Sequence, residues 1–135
     1  MALMTWTKEA FGTNVSIADE QHREIFAKLN VLSDAVAAGN RADVGKKLDT
    51  LIDYVVMHFR AEEELMKKHG YPELAGHKAE HDKLVNTCAD LQKKFHAGAA
   101  EVTAETAVFV KDWLVKHIPG VDKHYGPFLN SKGVP

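Results

Sequence analysis

The chain has a single cysteine, Cys88, among 135 residues. An internal disulfide is excluded, and a reducing compartment is the simpler setting. Long apolar runs are missing too, since none approaches the roughly 18 residues that a membrane span needs. The N-terminus, Met1 to Phe11, has no basic stretch followed by an apolar one, so no secretory signal is expected. Neither sign of charge dominates. The formal net charge is −2, which leaves no footprint for nucleic acid. Together these absences predict a cytoplasmic protein with no membrane insertion and no nucleic-acid partner. Strand-like alternation, internal repeats and low-complexity tracts are absent as well.

What remains is ordinary globular composition, 45% hydrophobic and 27% charged, enough for one core and one domain over residues 1–135. Residues 1–17 mix Trp6, Phe11, Val15 and Ile17 with Gly12 and polar residues, and read as a non-helical arm. Asp19 can cap a first helix, which runs to about Ala38 and stops at Gly39-Asn40. A second spans about Ala42 to Lys68, ending at His69-Gly70. Pro72 suits the first turn of a third, to about His96. Thr103 can cap a fourth, which must end near His117-Ile118 because Pro119-Gly120 follows. The tail from Val121 to Pro135 has room for a short helical turn at most. Four helices with short connections predict an all-α, up-down-up-down antiparallel four-helix bundle with a non-helical N-terminal arm. No apolar stripe is left obviously exposed, so a monomer is expected.

The unusual count is eight histidines. Apolar residues at 3-4 spacing define the inner faces, as in Ile25, Leu29, Leu32 and Val36 on the first helix. His22 lies on that same stripe. His58 follows Val55 by three and precedes Glu62 by four. His77 and His81 sit on the seam of the third helix between Leu74 and Leu84. His117 follows Trp113 by four on the fourth. Each of four helices therefore aims an imidazole at the axis.

Such a stripe is costly unless its groups have partners. An unsatisfied buried polar side chain costs about 1–3 kcal/mol, and an isolated charge far more. Metal coordination resolves this, because imidazole and carboxylate are both ready ligands. His58/Glu62 and His77/His81 are i, i+4 pairs that present adjacent ligands on one face. His117/Asp122 is i, i+5, about 500° of rotation in a regular helix. The Pro119-Gly120 break between them lets the chain turn Asp122 inward. Seven ligands suit two ions, spaced roughly 3.5–4 Å apart. Five imidazoles divide three and two, which leaves an open position at the ion with fewer. His69, His96 and His124 lie at helix ends or in the tail and are not expected to bind metal. Cys88 reads as a small core residue.

The set His22, His58-Phe59-x-x-Glu62, His77-x-x-x-His81 and Trp113-Leu114-x-x-His117-Ile118-x-x-x-Asp122 resembles the hemerythrin family in its bacterial single-domain form. The opening Trp6 and the Val15-x-Ile17-x-x-x-x-His22 stretch look similar too. The resemblance covers nearly the whole chain. It implies a non-haem di-iron centre. His77, His81 and His117 would hold one iron, His22 and His58 the other. Glu62 and Asp122 would bridge them, with an oxo or hydroxo group completing the bridge. Dioxygen would bind reversibly at the two-histidine iron, in a pocket of Ile25, Phe59, Trp113, Leu114 and Ile118. An apolar pocket disfavours charge separation and proton entry, so it protects the oxygenated state. No charged acid or base other than the ligands falls on this stripe, which favours an oxygen carrier over a catalyst. A di-iron oxidoreductase acting on peroxide or nitric oxide, an oxygen or iron sensor, iron handling, and zinc occupancy are the competing readings. An oxygen-consuming protein partner cannot be read from these residues.

Overall fold

A computed structural model describes residues 3–135, so Met1 and Ala2 of the expected arm lie outside the described residues. The helices are α1 (Lys8–Phe11), α2 (Ser16–Ala38), α3 (Arg41–His69), α4 (Leu74–His96), α5 (Ala104–Gly120) and α6 (Tyr125–Ser131). A 3₁₀ turn, Asp122–His124, joins α5 to α6. No strand occurs among the described residues. α3 packs chiefly on α2 and α4, and α2 also packs on α5. Short connections make sequential helices antiparallel. The tightest runs through Gly39, which ends α2 at φ 77°, where a side chain would be strained. Its N–H closes on the carbonyls of Ala35 and Val36.

The buried side chains form two apolar clusters. The larger fills the bundle with Ile25, Leu29, Leu48, Val55, Phe59 and Leu114 among others. The smaller, including Val15, Met66, Tyr125 and Leu129, packs at one end. The buried histidines and acids interrupt the stripe between them: Glu62 lies on α3 between Phe59 and Met66. Cys88 is half-buried and unpaired, and burial pushes its thiol up to about 11.

Four boundaries differ from expectation. The arm carries one turn of helix, α1, because the Thr7 side chain accepts from the Ala10 N–H. α2 begins at Ser16, three residues before Asp19. Asp19 does not cap it. Its carboxylate instead accepts from the N–H and hydroxyl of Thr13, tying the arm to the helix. Pro72 lies in the turn before α4. α5 continues through Pro119 to Gly120. The carbonyl that Pro119 cannot serve belongs to Val115, which is on the exposed face.

The tail is more ordered than a single turn. α6 tucks Tyr125 and Leu129 beneath the arm, and Gly126 is what permits it: a Cβ there would lie 2.1 Å from the Thr13 carbonyl oxygen. Gly126→Ala is therefore expected to cost about 1–3 kcal/mol, the range for overpacking a rigid contact. Thermal unfolding measures it, and an unchanged midpoint would show that the arm can yield.

Candidate metal centre

The structure brings together all seven residues singled out as ligands, six on the helical seams and Asp122 beyond the end of α5. None is more than 4% exposed. They form two groups whose ligand atoms lie within 4.8 Å of one another: His77, His81, His117 and Asp122, and His22, His58 and Glu62. The i, i+5 pair converges, because the 3₁₀ turn swings Asp122 back under α5. Asp122 Oδ1 is 2.9 Å from His117 Nε2 and 2.8 Å from His77 Nε2. Its Oδ2 is 3.1 Å from His22 Nε2.

Glu62 is divided in the same way. Its Oε2 lies 3.4 Å from His22 Nε2 and 3.3 Å from His58 Nε2. Its Oε1 lies 3.4 Å from His81 Nε2 and 3.8 Å from His77 Nε2. Each carboxylate thus gives one oxygen to the three-histidine group and the other to the two-histidine group. Two ions bridged by both carboxylates fit this division, and a single ion does not.

The unpartnered atoms make the same point. All five Nε2 atoms, with Glu62 Oε1 and Asp122 Oδ1, are buried without a hydrogen bond. The carboxylate oxygens lie close to these ring nitrogens without a hydrogen bond between them. Orphaned buried polar atoms are rare because each costs desolvation. Here they coincide with the lone pairs that would face metal, and five imidazoles with two carboxylates suit iron.

Supporting contacts orient the rings. His58 Nδ1–H donates to Gln21 Oε1 at 2.6 Å, and His81 Nδ1–H to Glu63 Oε2 at 2.9 Å, so each Nε2 is the free nitrogen. Aromatic rings lie against the three-histidine group. Phe59 stacks on His81 at 3.8 Å, Trp113 on His117 at 4.1 Å, and Tyr125 on His77 at 5.7 Å. Phe59 and Trp113 of the expected pocket are therefore also ring supports. Ile25, Leu114 and Ile118 are buried in the main cluster beside Phe59.

Sequence reasoning missed Gln21, Glu63 and Tyr125. The Tyr125 hydroxyl donates to Glu62 Oε2, the oxygen that faces His22 and His58. The only trace of it in the sequence is its place three residues after Asp122. Tyr125→Phe keeps the ring and loses the donor. Bound iron is expected to stay at two per chain while the visible absorption shifts, and an unchanged spectrum would deny the hydroxyl any influence. His96 pairs instead with Asp49, at 2.8 Å.

Opposite charges in the cluster favour one another against the cost of burial. Burial opposes charge on His22, yet Asp122 and Glu62 outweigh it and push His22 up to about 10. The same contest pushes His77 up to about 9. Burial also opposes ionised Glu62, but His58, His22 and His77 hold its carboxyl well below the usual range. For Asp122 burial and the Glu62 charge are both opposed and overcome by His117, His22 and His77. Raised histidines stabilise the metal-free fold fully below their unfolded value of 6.5 and lose that stabilisation as pH climbs through 9 and 10. The melting temperature of metal-free protein is thus expected to fall between pH 7 and pH 10. Metal-loaded protein should hold steadier, since its imidazoles have already given up those protons. Parallel pH profiles for the two forms would remove this account.

A family model described as a hemerythrin HHE cation binding domain matches residues 13–129. The chain is 65% identical to a bacteriohemerythrin of Methylococcus capsulatus over 131 residues, covering 97% of this chain and 100% of that one. It is 39% identical over 107 residues to a hemerythrin-like protein of Naegleria gruberi, 79% of this chain and 78% of that one. A crystal structure of wild-type hemerythrin superposes with a TM-score of 0.94 at 66% identity, covering 95% of this chain and 98% of that one.

Proposed function

The chain belongs to the hemerythrin family, and on that footing we propose that it binds dioxygen reversibly at a non-haem di-iron centre inside its bundle, for storage or delivery. The observation that carries this reading is the sharing of Glu62 and Asp122 between a three-histidine and a two-histidine group. In it, His77, His81 and His117 would hold one iron and His22 and His58 the other, with Glu62 and Asp122 each within reach of both. The iron pair, when bound, supplies the electrons that dioxygen draws on and returns.

The chain's own residues do the rest. Unequal histidine numbers leave room for a small ligand on the His22 and His58 side. Gln21 and Glu63 fix two rings through their Nδ1 protons. Ile25, Leu114 and Ile118 are buried in one apolar cluster with Phe59, Trp113 packs against it, and in this reading that cluster excludes water from the bound ligand. A water-poor wall keeps protons away from reduced oxygen and favours its release as dioxygen.

We read residues 1–135 as one domain, monomeric and cytoplasmic. No helix among the described residues is long and apolar enough to cross a membrane. The family is an oxygen-binding one, and we read this member as a carrier with no enzymatic turnover.

The test is reconstitution with ferrous iron without air, followed by cycles of oxygen and argon. Two irons per chain and a charge-transfer band that comes with oxygen and leaves under argon are expected. A band that forms once and decays with continued oxygen consumption would transfer the assignment to a di-iron oxidoreductase. Many irons per chain would indicate iron storage.

A further inference from the structure

Between α2, α3 and α6 lies a cavity of about 100 Å³ that the oxygen-binding reading does not use. It exists because small side chains stand where the helices face each other, Ala18 on α2 and Ala61 on α3. Leu65 and Leu129 close its sides, and the exposed Ile17 stands at its rim. Glu62 and Tyr125 form part of its wall. The cavity therefore reaches from the surface to the carboxylate that faces His22 and His58.

The lining is almost all carbon, and two of its polar groups are engaged elsewhere. The Tyr125 hydroxyl donates to Glu62, and Gln21 Oε1 accepts from His58. A buried water needs two to four polar partners, and apolar cavities of roughly this size stay dry and take up apolar guests. A diatomic gas fits, since even a water molecule's share of the liquid is only about 30 Å³. Ions and polar metabolites would lose hydration here and find nothing in return.

We propose that this cavity admits and holds dioxygen, and that it feeds the His22, His58 and Glu62 side of the site from a face separate from Leu114 and Trp113. This rests on the oxygen-binding reading above. A pure entry path changes the arrival and departure of a ligand by one common factor, because it alters the barrier and not the bound state. That signature separates a path from a change in the binding pocket itself.

Two measurements test it. Crystals of the iron-loaded protein under xenon pressure are expected to show a xenon atom beside Ala18 and Ala61. Ordered water there, or an empty cavity with xenon elsewhere, would overturn the proposal. Stopped-flow oxygen binding is then compared for Ala61→Leu, which fills the space, and Leu65→Ala, which widens it. With iron held at two per chain, the first should slow association and dissociation several-fold by one factor, and the second should speed both. Unchanged rates in both variants would overturn the delivery role, as would a change of affinity with one rate unmoved. Failure of the wild-type protein to bind oxygen at all would defeat the underlying reading. Xenon needs no iron and would still show whether the cavity takes an apolar gas.

Discussion

Replacing Glu62 by alanine is expected to lower bound iron from two per chain to one or none and to abolish the oxygen-dependent band. Glu62 is the only residue of the two-histidine group that is not an imidazole. Without it, His22 and His58 have only the far oxygen of Asp122 to complete a site. The three-histidine group keeps Asp122 within reach of His77 and His117, so it can still hold an ion. Loss of an outer partner of a metal ligand already costs about 10–100-fold in affinity, and loss of the ligand itself should reach at least about 100-fold. The metal-free protein should suffer as well. Glu62 helps hold the charge on His22, and breaking a buried pair of this kind costs about 3–5 kcal/mol. Glu62→Gln separates the two effects, since it keeps the volume and removes the charge. Metal analysis after dialysis and thermal unfolding of both variants are the measurements. Two irons retained in Glu62→Ala would mean that this carboxylate does not bridge.

The ligand residues were legible in the sequence for a particular reason. His22, His58, Glu62, His77, His81 and His117 lie on helical seams already marked by Ile25, Leu29, Val55 and Leu84. Helical periodicity alone then determines that they face inward. Asp122 was legible only through the break at Pro119-Gly120, and the structure supplies the turn that the break allowed. Contacts between distant segments left no such mark. Gln21 meets His58 across 37 residues, and Tyr125 meets Glu62 across 63. Neither residue's type or spacing announces the pairing.

α6 is longer than the short turn expected from Gly126-Pro127, which reads as a helix breaker. Pro127 is its third residue, where a backbone N–H has no intrahelical partner anyway. Gly126 is needed for close approach to Thr13, and carries no turn. The same logic explains Asp19. Its place near the start of α2 is that of a cap, but the arm presents Thr13 to it first. Local signals located the four long helices, and tertiary contacts decided where α2 began and how the tail closed.

Replacing Leu114 by aspartate is expected to speed autoxidation by about 10²-fold, the lower end of what a positioned proton donor contributes. Leu114 is 2% exposed and precedes His117 by three on α5, with Ile25, Phe59 and Ile118 in the same cluster. The buried members of that cluster are all apolar. A carboxyl there would either stay protonated in its apolar surroundings or draw water in to solvate its charge. Either outcome brings a proton source to reduced oxygen and favours its departure as peroxide over dioxygen. Leu114→Asn isolates the cause, since it adds polarity without an acid. If water entry is what matters, both variants autoxidise faster. If a titrating donor is what matters, only the aspartate does, and its rate falls as pH rises and the carboxyl ionises. The measurement is decay of the oxygenated band in air, with iron confirmed at two per chain. A wild-type rate in both variants would show that the apolar wall around Leu114 does not protect bound oxygen, and reversibility would then have to rest on the ligands themselves.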